Sequence, residues 1–200
     1  MLTNKFVTED DELIQIAALS MENMSSMIPD DLKEKEGYVT WPYSIEDLRV
    51  IHQITPSIVI KDDDKVIAYL IILVSEVREV YQPLKNILKL LGPSSYQDRL
   101  FEDYKYYILG QDCVQRDYRG RGLIKLLFDF QKKHLAPRYD LGVSAISVHN
   151  PLSQRIHEKL GAQVINVLST EENTWNIVIW DWRILSAIPG YPFELSSDTR

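Results

Sequence analysis

The segment that most constrains this chain is "YKYYILGQDCVQRDYRGRGLIKLLFDF", residues 104–130. Its first dozen residues are rich in aromatic and β-branched types and read as a strand. The next seven, Arg116 to Gly122, hold three arginines and two glycines. Leu123, Leu127 and Phe130 then recur at helical spacing, which predicts a helix from about Gly122 to Leu135 with those three facing inward. A strand, an open basic bend and a helix therefore follow one another directly. The N-terminus of a helix presents unpaired N–H groups and a partial positive charge, so such a bend is suited to holding phosphate. Gly120 and Gly122 let the backbone approach an anion, while Arg119, Arg121 and Lys125 add charge.

Charge is concentrated there. From Arg116 to Lys133 six basic side chains stand against two acidic ones, within a chain whose net charge is −7. An acidic chain with one compact anion site fits a small phosphorylated ligand and argues against general nucleic-acid binding, which needs a surplus of Lys and Arg. The longest apolar run, "VIAYLIILV" at 66–74, is far short of the roughly 18 residues that suggest a membrane span, so no membrane partner is expected. The opening "MLTNKFVTEDDEL" lacks the features of a secretory signal, and the only cysteine, Cys113, has no internal disulfide partner. A reducing, cytoplasmic setting is the expectation.

No repeat or flexible linker divides the chain, so one domain is expected over 1–185, with an irregular tail over 186–200 ordered at most near Tyr191 and Phe193. Thr8 with Asp11, and Ser44 with Asp47, resemble helix caps; Leu13, Ile16, Ala17 and Ser20 follow the first, Ile45, Leu48 and Ile51 the second. "SIVI", the turn "KDDDK" and the apolar run read as a β-hairpin over 57–74. The three aspartates lack the Gly and distal Glu of a calcium loop and read as a solvated turn. Val80, Leu84, Ile87, Leu88 and Leu91 share a helical face that Gly92-Pro93 would stop, making a helical insertion over 78–103. "VSAISV" (143–148) is a strand, Pro151 to Leu160 a helix, and "AQVINVL" and "TWNIVIWDW" closing strands. In the last, Trp175, Ile177 and Ile179 alternate with Val178, Trp180 and Trp182, as in a strand covered on both sides. The class is mixed α/β.

Spacing discriminates among phosphate loops. The Gly-x4-Gly-Lys-Ser/Thr pattern of nucleotide triphosphatases is missing from the sequence, and Lys125 stands where a dinucleotide fingerprint needs its third glycine. Arg119-Gly120-Arg121-Gly122-Leu123-Ile124 instead resembles the Q/R-x-x-G-x-G/A loop by which the GNAT acyltransferase superfamily holds the pyrophosphate of acyl-CoA. "CVQRDYRGRGLIKLLFDF" and "VHNPLSQRIHEKLGA" resemble two segments of that superfamily, in its order and separation, and the order of elements agrees from about residue 3 to 182.

The resemblance implies a strongly twisted sheet of six or seven strands with helices on both faces. Pantetheine would lie where the parallel strands ending near Val114 and Val148 splay apart. Backbone groups of Cys113, Val114 and Gln115 would bond its amides, as in edge pairing, and Asn150 would add a side-chain amide. Three positions depart from the family pattern. Ile124 stands where Gly or Ala usually ends the loop, Ala162 replaces a bulky aromatic, and His157 replaces the tyrosine that protonates the departing thiolate in many relatives. An imidazolium can serve as that acid, so His157 is the catalytic candidate; its alternative is packing on a helix face beside Ser153 and Leu160. The strand before Asn150 carries no carboxylate, and Asp112, Glu76, His149 or a water relay remain open for the base. Cys113 as an acyl carrier is disfavoured against simple packing. No metal is expected, since the histidines at 52, 134, 149 and 157 show no ligand spacing.

Acetyl transfer from acetyl-CoA to a primary amine, by direct attack in a ternary complex, is the implied activity; a non-catalytic acyl-CoA-binding module is the alternative. The acidity outside the loop favours a cationic small-molecule or peptide acceptor. Apolar residues on the inserted helix allow for a homodimer.

Overall fold

In the computed structural model, residues 1–91, 95–171 and 173–187 are described. The chain opens with β1 (Leu2–Phe6), α1 (Asp10–Glu22), α2 (Asp30–Glu36) and α3 (Ile45–His52), then enters the hairpin of β2 (Ile58–Asp62) and β3 (Lys65–Leu73). The inserted segment holds α4 (Gln82–Leu91) and a small hairpin, β4 (Ser95–Tyr96) with β5 (Arg99–Leu100). Then come β6 (Tyr106–Val114), α5 (Leu123–Leu135), β7 (Leu141–Ser147), α6 (Pro151–Lys159), β8 (Gln163–Ser169), β9 (Thr174–Asp181) and α7 (Trp182–Leu185). Gly92-Pro93 and the tail from residue 188, with Tyr191 and Phe193, lie outside the described residues.

Seven strands form one mixed sheet in the order β1-β2-β3-β6-β7-β9-β8. Only β6 and β7 run parallel; every other neighbouring pair is antiparallel. β3, the apolar run of the sequence, is buried along all but its first residue because both faces of the sheet are covered. Adjacent residues of a strand point to opposite faces, and two of them show what covers each. Gln111 of β6 meets Ser20 of α1, while Asp112 meets His157 of α6. α5 shares the α6 face through Phe128, whose ring packs on His157 and Trp180.

Tertiary contacts moved several boundaries. α5 starts at Leu123 and turns Leu123, Leu127, Phe128, Gln131 and Leu135 inward. Phe130 is half-buried against Phe6 and His134 rather than central. Val80 precedes α4 and is exposed, whereas Leu84 and Leu91 are buried, so the apolar face of the insertion is turned towards its own domain. Trp182 opens α7 instead of ending the strand, because the Asp181 carboxylate accepts from the N–H groups of Arg183 and Ile184.

α3 is capped by Ser44 with Asp47 as the sequence implies, but α1 is capped at Glu9, one residue beyond Thr8. The cause is Glu12, whose fully buried carboxylate accepts from the N–H of Thr8 (2.9 Å) and pairs with Lys5 (2.7 Å) and Lys61 (3.1 Å). Burial alone would raise its pKa; the two ammonium groups and the Thr8 N–H win and hold it at about 2. A depressed folded pKa stabilises above the unfolded value and is lost as pH falls through the folded one. Glu12→Gln is therefore expected to lower stability at pH 6 more than at pH 3, read from urea midpoints at the two values.

Candidate active site

β6 and β7 pair only at Tyr106–Leu141, Tyr107–Gly142 and Ile108–Val143, although both strands continue. A bulge in β6 follows at Gly110, which has no partner in the register with β3. Glycine is needed there, since a Cβ would lie 2.6 Å from the Tyr43 hydroxyl and 3.0 Å from Leu73. Past the bulge the strands diverge, and the Ser144 hydroxyl, donating to the Leu109 carbonyl (2.9 Å), takes the place of the next ladder bond.

The mouth of this splay is a cleft of about 720 Å³. Its walls come from the segment around Glu36–Val39, the end of β6, the basic bend and α6. Five cations line it (Lys35, Arg116, Arg119, Lys125, Lys159) against the carboxylates of Glu36 and Asp112. Gly120 and Gly122 both have φ of +75°, the left-handed region. No heavy atom lies within 4 Å of a Cβ built on either, so both glycines face open space. Gly122 is the N-cap of α5, with no side chain closing the helix end. Bend, left-handed glycines and open helix N-terminus together form a cradle suited to a diphosphate.

The basic side chains of the bend are bonded within the protein. Arg119 is turned away from the loop: its guanidinium donates to the Val114 carbonyl (3.2 Å), to Asn23 Oδ1 and to Glu36 (3.2 Å). Arg116 bonds the same Glu36. Arg121 lies over the Tyr118 ring and donates to the Asp117 carbonyl (2.9 Å), and Lys125 pairs with Asp129 (2.6 Å). Arg119 thus ties the bend to α2 and β6 while still lining the cleft. Ile124 is half-buried against the core and lines the cleft. The Gln115 N–H is spent on the Ile67 carbonyl (2.8 Å). Asn150 is buried at the foot of the cleft, accepting from the Ser153 N–H (3.3 Å) and donating to the Tyr38 carbonyl (2.8 Å).

His157 is 3% exposed, between the rings of Phe128 and Trp180. Its Nδ1 is 2.7 Å from the Ser153 carbonyl and its Nε2 is 3.0 Å from Asp112 Oδ1. A carbonyl only accepts, so Nδ1 carries a proton. With Nδ1 donating to that carbonyl, the Nε2 contact with the carboxylate suits the doubly protonated ring; the Ser153 hydroxyl lies 3.2 Å from Nδ1. Burial pulls the imidazole pKa down, but the Asp112 charge and hydrogen bond, with the Ser153 carbonyl, leave it raised. Asp112 is the more exposed partner, at 14% of its side chain against 4%. Sequence reasoning named both residues for different roles, and packing across the sheet makes them one unit.

The other candidates stand apart. Glu76 and His149 are exposed and line neither this cleft nor the pocket beyond it. Cys113 is buried with its thiol pushed up to about 12 by burial, which leaves little thiolate for nucleophilic attack. Ala162 is buried in the core. Among the described residues no three His, Cys, Asp or Glu side chains gather as a metal site, and no helix is long and apolar enough to cross a membrane.

Beyond the bulge the splay opens into a second pocket of about 280 Å³. Trp41, Tyr43, Tyr81 and Trp175 line it with Ile87, Leu91 and Ile177. Tyr43 and Tyr81 stack at 5.7 Å, and the Trp41 indole donates to the Tyr81 hydroxyl (2.6 Å). Gln111 holds this wall in place: its amide donates to the Trp41 carbonyl (2.6 Å) and its oxygen accepts from Ser20 (2.8 Å) and Tyr69. The signal for this pocket in the sequence was its aromatic residues, but they are spread from Trp41 to Trp175 and converge only in three dimensions.

Sheet order, the single parallel pair that splays and the glycine bend on the following helix together make this the fold of the GNAT N-acetyltransferases. No protein-family model and no curated protein sequence matches the chain. Solved structures do. The loading GNATL domain of CurA from Lyngbya majuscula superimposes with a TM-score of 0.62 at 14% identity, over 92% of this chain and 99% of that domain. Ard1 from Thermoplasma volcanium gives 0.60 at 11%, over 90% and 97%. Arabidopsis thaliana Naa50, in complex with the bisubstrate analogue CoA-Ac-MVNAL, gives 0.58 at 10%, over 90% and 98%.

Proposed function

We propose that the protein is an N-acetyltransferase that transfers an acetyl group from acetyl-CoA to a primary amine by direct attack in a ternary complex. The observation that carries this reading is the cradle: two left-handed glycines facing open space beside an uncapped helix N-terminus, at the mouth of a splay between parallel strands. Acetyl-CoA supplies an activated thioester. Backbone N–H groups from Gly120 to Ile124 would hold its diphosphate, Arg116 and Lys159 would add charge at the rim, and the free edge of β6 near Cys113 and Val114 would align its amide-bearing arm. Asn150 would act mainly by fixing the loop at Gly37–Tyr38 to α6, since both ends of its amide are bonded within the protein.

Replacing the thioester C–S bond with a C–N bond releases one proton from nitrogen and requires one at sulfur. The Asp112–His157 pair, whose Oδ1 and Nε2 lie 3.0 Å apart, would hold one proton between them. In this reading its exposed end, Asp112, gives that proton to the leaving sulfur and the pair regains one from the amine nitrogen, which closes the balance. His157 acts through Asp112 as proton store and positioning residue.

Calorimetric titration with acetyl-CoA, free CoA and NADPH tests the reading. Micromolar binding of acetyl-CoA and CoA without NADPH is the expected result, followed by thiol release when an amine is added. Absence of acetyl-CoA binding across salt and pH would sink it.

A further inference from the structure

The acidity of the chain suggests a cationic acceptor, yet the charge is not where an acceptor would sit. All seven Lys, Arg, Asp and Glu side chains of the splay line the first cleft. Among the described residues lining the second pocket there are none. Its wall is aromatic and aliphatic, with Thr40, Ser144, Thr170 and the tyrosine hydroxyls as its polar points. The two spaces adjoin: Gly110 of β6 lines the second and Asp112 the first, about 7 Å apart along a strand. The segment 37–43 likewise passes from one to the other, Gly37 to Val39 on the charged side and Thr40, Trp41 and Tyr43 on the apolar side. An acceptor reaching the Asp112 level from the far side of the bulge must place its body in this pocket.

Resting on the acyltransferase reading above, we infer that the acceptor is a primary amine carried directly on a bulky aromatic or aliphatic group, not a polyamine or aminoglycoside. The pocket is near the lower end of small-molecule sites, which run from roughly 300 to 1,000 Å³, so it takes one such group. The same lack of charge disfavours the ammonium form, because desolvation lowers an amine's pKa. Asp47 acts on the Tyr43 and Tyr81 hydroxyls from outside the described lining, and the apolar lining itself favours the neutral nucleophile. The Tyr43–Tyr81 stack, tied to Trp41 and through it to Gln111, makes the wall rigid before the ligand arrives. A free arylalkylamine and the N-terminus of a peptide beginning with a bulky apolar residue share this chemistry.

The test compares 2-phenylethylamine, a leucine-initiated pentapeptide, spermidine and the same pentapeptide initiated by aspartate. Binding is followed first without CoA, through the fluorescence of Trp41 and Trp175, and turnover second, by thiol release with acetyl-CoA. Burial of one apolar group predicts kcat/KM about 10- to 100-fold higher for at least one apolar acceptor than for spermidine or the aspartate peptide, with fluorescence saturation by that acceptor alone. Activity confined to 2-phenylethylamine assigns a small amine; activity confined to the leucine peptide assigns an N-terminus. Ile87→Asp, at a half-buried position of the wall, should reduce the preference at least tenfold. Spermidine equal to or better than both apolar acceptors, in fluorescence or in turnover, overturns the inference while leaving the acyltransferase reading intact. Failure of acetyl-CoA to bind in calorimetry overturns that reading, and with it the inferred acceptor role.

Discussion

Gly122→Val is expected to weaken acetyl-CoA binding by at least 100-fold and to lower the melting temperature by only a few degrees. Gly122 has φ of +75°, where a β-branched residue is strained by about 1–3 kcal/mol. For a chain of this size each kcal/mol shifts the melting temperature by roughly 2–4 °C. The new side chain meets no protein atom, because the space beyond Gly122 is the cleft. Its effect therefore falls on the ligand, by filling the approach to the helix N-terminus and turning the N–H groups of α5 away from the diphosphate. Calorimetry and a thermal scan on the same preparation separate the two effects. A folded variant with an unchanged Kd for acetyl-CoA would remove this bend from the site.

The second large effect is expected from Asp112→Asn. Removing one partner of a buried ion pair leaves the other uncompensated and costs about 3–5 kcal/mol, here with His157 enclosed by Phe128 and Trp180. The sign of the pH dependence follows from the raised folded pKa of His157. Its contribution is fully present below the unfolded value near 6.5 and is lost as pH rises through the higher folded one. The stability gap between wild type and variant should accordingly be widest near pH 6 and shrink towards pH 9, measured by urea unfolding. The variant should also lose 10²- to 10⁴-fold in kcat, the usual range for a proton-transfer group, with KM for acetyl-CoA nearly unchanged. His157→Phe should preserve acetyl-CoA binding and slow turnover, flattening the pH profile of kcat. A gap independent of pH would mean that the pair does not carry the second proton.

Local chemistry explains why some of this was legible in the sequence. The hairpin over 57–74, the Ser44–Asp47 cap and the bend at Arg119–Gly122 each depend on residues a few positions apart, whose hydrogen bonds and backbone angles are settled by near neighbours. Where a distant side chain intervened, the reading shifted. Glu12 moved a helix cap because Lys61 and Lys5 reach it. The Arg119 guanidinium is bonded to Glu36 and Asn23, far away in sequence, which the local pattern of the bend does not show. His157 and Asp112 each looked like a solitary acid or base, and their hydrogen bond spans 45 positions.

The sequence by itself determined the mixed α/β class, the order of elements and the open glycine bend before a helix, because strand periodicity, glycine conformation and the helix terminus are local properties of the chain. Tertiary structure alone decided that the imidazole is buried and paired, that the charges of the splay gather on one side, and that the aromatic residues from Trp41 to Trp175 gather around a pocket on the other whose described lining carries no charge. Those features depend on which faces of a twisted sheet are covered and on where two parallel strands part, and neither is written in any short stretch of residues.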